Sequence, residues 1–248
     1  MLQQTQVDRV VERYGRFMGR YPTPAACAQA PLGELLALWQ GLGYPRRAQR
    51  LHALAGVVVE QHDGRVPCGV DDLMALPGVG AYTARAVRAF AFELPSAVVD
   101  TNVARVMARV TGMRLTARRA QEVADCWSPD GAVWAWNQSL MEVGALVCRP
   151  RPDCAHCPLA PSCRWHLGGR PEPDPAVGTA GVSTRQPPFE GSDRQARGRL
   201  LAAVLVAGVP EDEAAHIMHR SPEQAARLVD ALVAEGLVAR SGGRLSPP

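Results

Sequence analysis

Four cysteines fall within sixteen residues, spaced Cys148-x5-Cys154-x2-Cys157-x5-Cys163, in a stretch rich in proline and arginine. Such a stretch has little apolar surface with which to hold itself, so four sulfurs crowded into it need a common centre. The chain opens Met-Leu-Gln-Gln-Thr-Gln, with no basic region leading into an apolar one. A secretory leader is therefore not expected, and a pair of disulfides is the weaker explanation. Zinc ribbons pair two C-x2-C units across a longer span, and only one such unit is present. A [4Fe–4S] cluster on four thiolates fits the spacing better, while zinc, with His156 or His166 as a ligand, stays open. Cys27, Cys68 and Cys126 stand in apolar or turn settings and are expected to be packing residues.

Ahead of these cysteines the pattern is helical. Val7, Val10, Val11, Tyr14, Phe17 and Met18 form one apolar stripe. Pro31 opens a second helix that turns Leu32, Leu35, Leu36 and Trp39 inward, and Gly41 stops it. A third apolar run, Leu51 to Val59, precedes the turn His62-Asp63-Gly64, and Trp134, Leu140, Met141 and Val147 mark another buried helix. No alternation of period two is sustained, so the front is all-α. No apolar run approaches the roughly 18 residues that a membrane-spanning helix needs, so no membrane partner is expected.

All 27 basic residues are arginine. Without lysine, a side-chain Schiff base and a phosphate-binding P-loop are both excluded. Residues 1–170 hold 19 arginines against 14 acidic residues, a net +5, and residues 171–248 hold a net −2. The front half thus permits nucleic-acid binding without requiring it.

Residues 168–192 are rich in Gly, Pro, Ser and Thr and are expected to be a linker between a domain at 1–167 and a smaller one at 193–248. In the tail, Ser221-Pro222-Glu223 is a helix start, and two short segments around Ser241-Gly242-Gly243 suggest a hairpin. Three helices and a hairpin make a winged-helix-like pattern, for which a simple helical appendage is the plain alternative.

Two motifs carry chemistry. Leu76-Pro77-Gly78-Val79-Gly80 separates helical stretches at 71–75 and 81–92, and its glycines leave backbone N–H groups free to meet a phosphate. The same pattern also closes ordinary helical hairpins. Val99-Asp100-Thr101-Asn102-Val103 then leads into a helix, where an aspartate is most simply an N-cap.

Taken together, these stretches resemble the helix–hairpin–helix DNA glycosylases, and within them the MutY-type adenine DNA glycosylases. The resemblance rests on Met1-Leu-Gln-Gln-Thr-Gln-Val7, Leu38-Trp-Gln-Gly-Leu-Gly-Tyr44, the two motifs above and the four-cysteine loop. It implies excision of adenine opposite 8-oxoguanine from double-stranded DNA, by a monomer of the bacterial cytoplasm carrying a [4Fe–4S] cluster. Asp100 resembles the aspartate that stabilises the cationic sugar, directly or as a transient nucleophile, with Tyr82 and Asn102 in the same centre. Gln3, Gln4 and Thr5 match residues that enter the duplex beside the oxidised guanine, near Leu42, Gly43 and Tyr44. Leu76, Gly78, Val79 and Gly80 match the phosphate hairpin.

Three departures stand out. The family's general-acid glutamate lies two residues before the methionine at which this chain begins, and Glu12 cannot obviously replace it. Met1 is accordingly expected to be internal to a longer reading frame, the numbered chain to excise slowly, and the Val7–Met18 helix to carry uncovered apolar surface. The first cysteine gap is five residues where relatives have six, and the tail is too short for a Nudix-like domain of more than about 100 residues. The alternatives are an endonuclease III-type glycosylase for oxidised pyrimidines, against which the absence of lysine argues, and a non-catalytic iron–sulfur DNA-binding protein.

Tyr82 occupies the position where bifunctional relatives carry a lysine nucleophile. With its N-terminal amine capped, the protein is expected to form no borohydride-trapped adduct with abasic DNA. A trapped adduct under those conditions would refute the assignment of Tyr82.

Overall fold

The computed structural model of the protein describes residues 1–2, 5–182 and 188–248. In chain order the helices are α1 (Val7–Arg20), α2 (Pro24–Gln29), α3 (Leu32–Trp39), α4 (Arg46–Gln61), α5 (Val70–Ala75), α6 (Ala81–Phe90) and α7 (Thr101–Thr111). They continue as α8 (Ala117–Trp127), α9 (Val133–Glu142), α10 (Arg164–Leu167), α11 (Asp193–Ala207), α12 (Ala214–Met218) and α13 (Pro222–Ala234). Three short strands, β1 (Val209–Pro210), β2 (Ala239–Ser241) and β3 (Arg244–Ser246), form an antiparallel sheet in the order β1-β3-β2. Among the described residues no helix is long and apolar enough to cross a membrane.

The chain divides into two units, one of Met1–Pro67, Leu76–Gly78 and Gln186–Pro248, the other of Cys68–Ala75 and Val79–Arg185. In the first, Leu35, Leu36 and Trp39 of α3 pack in one core with Leu200 and Val204 of α11, Met218 of α12, Leu232 of α13 and Leu245 of β3. Gln49 of α4 donates to the Glu235 carbonyl at 2.8 Å, and the Glu235 carboxylate meets Arg197 at 2.6 Å. This grouping differs from the expected division at 1–167, 168–192 and 193–248. The winged-helix-like elements are present and pack on one another, α11 against α12, α13 and β3, but that core is continuous with α3 rather than closed on itself.

The expected linker also differs. Up to residue 182 it is fastened to the second unit: Ala176 and Thr179 are buried, Thr179 Oγ1 accepts the Leu115 N–H at 3.1 Å, and Asp174 pairs with Arg109 at 2.7 Å. Its anchors are polar, so an apolar count along the sequence does not register them.

In the second unit α7 is the central element, with every residue from Val103 to Arg109 buried. Asp100 caps its start, and Gly112, with φ of 69°, ends it in the left-handed conformation that a glycine adopts without strain. Val106 and Met107 pack against Leu115, Val123 and Leu140.

Two expectations about packing are corrected and a third is met. Trp134 is 48% exposed and meets Phe90 edge-on at 6.1 Å rather than lying in the core. Cys68 and Cys126 are exposed, and only Cys27 of the three packing candidates is buried. On α1 only Val10 is buried, while Val7, Val11, Tyr14 and Met18 remain exposed. That last arrangement is the uncovered apolar stripe expected from the sequence.

Because Leu200 is fully buried in the shared core, Leu200→Ala is expected to cost about 2–5 kcal/mol. The measurement is a lower denaturation midpoint at unchanged m-value. A change below about 0.5 kcal/mol would mean that α11 contributes nothing to that core.

Candidate functional site

Asp100 is placed by its neighbours before its own chemistry enters. The extended segment leading to it is held by Asn137, a buried polar residue of α9. The Asn137 side chain accepts the Val98 N–H at 2.8 Å and donates to the Ser96 and Val133 carbonyls at 3.0 and 2.9 Å. Asp100 then caps α7, its Oδ1 accepting the Val103 N–H at 2.7 Å and its Oδ2 accepting from Asn102 Nδ2 at 3.3 Å. The carboxylate therefore stands at the positive end of an eleven-residue helix, where a negative charge is stabilised. Burial pushes the Tyr82 phenol above its ordinary range, and the charge of Asp100 adds to the shift. Tyr82 itself is 43% exposed.

Behind Asp100 runs a hydrogen-bonded relay built on two buried arginines of α7, Arg105 and Arg109. Arg105 donates to Asn102 Oδ1 at 2.8 Å, to the Gly144 carbonyl at 2.7 Å and to the Cys148 carbonyl at 2.7 Å. Gly144 lies in a π-helical turn, Val143–Val147, that continues α9. A Cβ there would stand 2.6 Å from the Asn102 Cβ, so only glycine allows the two elements to approach this closely. One helical turn on, Arg109 donates to Cys148 Sγ at 3.4 Å, to the Arg149 carbonyl at 2.7 Å and to the Pro150 carbonyl at 3.0 Å. Its guanidinium also lies 4.9 Å from the centre of the Trp165 ring. Burial alone would raise the Asp174 carboxyl, but the bond from Arg109 and the Ala176 N–H hold it below its usual range.

Cys148, Cys154, Cys157 and Cys163 border one cavity together with Val106, Val110, Leu159, Trp165 and His166. All four are free thiols. Among the described residues no three His, Cys, Asp or Glu side chains converge closely enough to grip a single metal ion. Burial pushes the Cys148 thiol up, opposed by Arg109. Burial likewise raises Cys163, opposed by the backbone N–H groups of His166 and Trp165. His166 Nδ1 is buried with no hydrogen-bond partner among the described residues, whereas His156 is mostly exposed and bonds Asp153 at 2.8 Å.

The remaining sequence candidates lie on turns. Leu76 is buried, anchoring the turn between α5 and α6. Gly78 has φ of 78°, and a Cβ on it would come within 2.7 Å of Arg50. Val79 is half-buried and Gly80 exposed, with no side chain capping the start of α6. Leu42 is buried while Gly43 and Tyr44 are exposed, and Thr5 Oγ1 donates to the Leu42 carbonyl at 3.0 Å. Gln3 and Gln4 lie outside the described residues. Glu12 is exposed and paired with Arg16 at 2.7 Å.

Sequence reasoning missed Arg105, Arg109 and Asn137. Their signal was present: two arginines four residues apart inside the apolar run Val103–Val110, and an asparagine within the apolar stretch Val133–Leu140. In a chain whose basic residues are all arginine, no single one stood out.

Residues 1–129 match the HhH-GPD superfamily of base excision DNA repair proteins. The adenine DNA glycosylase of Mycolicibacterium smegmatis is 42% identical over 245 residues, covering 96% of this chain and 81% of that one. The adenine DNA glycosylase of Mycobacterium tuberculosis is 39% identical over 260 residues, covering 100% and 83%. Among solved structures, a thermostable thymine-DNA glycosylase aligns with a TM-score of 0.64 at 32% identity, covering 67% of this chain and 80% of that one. A trapped endonuclease III–DNA covalent intermediate aligns with a TM-score of 0.61 at 28% identity, covering 68% and 82%. With such a match along the whole of its length, the chain belongs to the HhH-GPD superfamily of base excision DNA repair proteins, in its adenine DNA glycosylase branch.

Proposed function

We propose that the protein is a monofunctional, monomeric glycosylase that hydrolyses the N-glycosidic bond of adenine paired with 8-oxoguanine in double-stranded DNA. The observation that carries this reading is the Asp100 carboxylate, fixed by the first turn of α7 and by Asn102. The base must first leave the stack, at a cost of a few kcal/mol. The C1′–N9 bond then breaks, its electron pair departs on an adenine that takes up a proton from solvent, and positive charge develops on the sugar. An ionised carboxylate held in place stabilises that charge without having to reorganise. Water completes the reaction, its oxygen bonding to C1′ and a proton passing to solvent. Tyr82, lacking a nucleophilic amine, provides no path to strand scission.

The four cysteine sulfurs that border one cavity fit a [4Fe–4S] cluster, which would cross-link the loop at 148–163 to itself and supply no bond-breaking chemistry. Arg109 Nη1 and the N–H groups of Trp165 and His166 are placed to donate to the sulfurs of such a cluster. Protein purified without oxygen is expected to be brown, with broad absorbance near about 400 nm. Colourless protein holding one zinc per chain would favour the unpartnered His166 Nδ1 as a ligand and overturn the cluster.

In single-turnover assays the protein is expected to release adenine from the adenine·8-oxoguanine duplex in preference to an oxidised pyrimidine. Asp100→Asn is expected to lower that rate by about 10²–10³-fold on the same duplex. Faster release of the oxidised pyrimidine would instead support the endonuclease III-type reading. No excision by either form would support a non-catalytic DNA-binding role.

A further inference from the structure

We propose that Arg47 is a positioning residue that assembles the surface for the oxidised guanine, by tying Met1 and Thr5 to the Leu42–Tyr44 turn. The proposal deepens the function proposed above and rests on it for the identity of the base being read.

The turn has an unusual backbone. Gly41, Gly43 and Tyr44 have φ of 84°, 72° and 49°, so three of four consecutive residues are left-handed. For Tyr44, which has a Cβ, this conformation is strained. It persists only where the surroundings over-determine it.

Arg47, in the first turn of α4, supplies much of that determination. Its Nη2 donates to the Leu42 carbonyl at 2.8 Å, to the Gly43 carbonyl at 3.2 Å and to Thr5 Oγ1 at 3.0 Å. Its Nη1 donates to the Met1 carbonyl at 3.1 Å. The guanidinium carbon lies 5.5 Å from the centre of the Trp39 ring and 5.6 Å from that of Tyr44. Two side-chain bonds brace the same pair of segments, Thr5 Oγ1 to the Leu42 carbonyl at 3.0 Å and Trp39 Nε1 to the Gly43 carbonyl at 3.1 Å.

This geometry needs a guanidinium. Two diverging nitrogens reach two chain segments at once, and the flat cation meets aromatic rings with its face. A lysine ammonium is a point charge with neither the fork nor the plane. Arg47 directs its Nη donors to the protein itself, so its effect on the DNA passes through Thr5, Leu42 and Tyr44.

The test compares Arg47→Met and Arg47→Lys with Arg46→Met, a neighbouring exposed arginine, in the full chain. Hydrogen exchange over residues 1–6 and 39–45 is expected to quicken by about tenfold or more in both Arg47 variants, as for a lost charge-assisted bond. Arg46→Met should leave those segments unchanged. The preference in Kd for adenine·8-oxoguanine over adenine·thymine duplex should fall about tenfold in the Arg47 variants alone. Lysine should not restore it.

Unchanged exchange in both segments would overturn the proposal whatever the substrate. So would quickened exchange with full duplex preference, and so would equal losses on replacing Arg46, which would indicate simple phosphate attraction. If the unmodified protein shows no preference between duplexes, the functional reading fails while the exchange arm still decides whether Arg47 ties the segments. Should Arg47→Met not fold, Arg47→Lys carries both readouts.

Discussion

Two permanently charged side chains sit inside the second unit, and most of its irregular structure exists to satisfy them. A buried guanidinium is tolerable only if its donors are matched by acceptors, since stranding one costs several kcal/mol. Arg105 and Arg109 draw those acceptors from four places: Asn102 near the start of α7, the π-helical turn at Gly144, the cysteine loop at 148–150 and the Asp174 carboxylate. Apart from Asn102, which lies in α7, these acceptors stand outside regular α-helix and strand, so the arginines do there the work that a backbone ladder does elsewhere. The same bonds fix how the cysteine loop lies relative to Asp100. A cavity for a metal cluster and a carboxylate for sugar chemistry thus share one frame, and distortion at one end reaches the other through two side chains.

Asp100 shows how a structural role and a chemical one can coincide. As an N-cap it satisfies an orphan N–H of α7, which is what the sequence pattern most simply suggests. That bond engages Oδ1, and Asn102 holds Oδ2 through a longer one. The cap therefore immobilises the carboxylate that the chemistry needs. Asn137 extends this logic backward by holding the segment from which Asp100 projects.

The parts legible in the sequence were those that rest on apolar periodicity and local backbone chemistry. The helices around Leu35, Leu36 and Trp39, the Ser221 cap of α13 and the hairpin at Ser241–Gly243 all stand where spacing and turn residues put them. The four cysteines were legible as a group because their proximity in sequence forces proximity in space. What escaped was decided by polar contacts at long range. Asp174 pins a proline-rich stretch to α7 across 65 residues, and Gln49 reaches Glu235 across 186. No local pattern marks such pairs. Trp134 failed for a related reason: its spacing fits an inward face, but that face of α9 is completed by Val133, Asn137 and Leu140.

The exclusive use of arginine has a consequence for the behaviour of this frame in alkali. An ammonium begins to lose its charge near pH 10, and a lysine-built network would come apart there as donors turn into poorly matched amines. A guanidinium keeps its proton in any solution a protein survives, even where burial pulls Arg47 and Arg105 downward. The arginine donors of this frame therefore have no alkaline titration of their own. Their vulnerability lies on the acid side, at the Asp174 carboxylate that accepts from Arg109, so acid reaches these bonds through the acceptor and not through the donor.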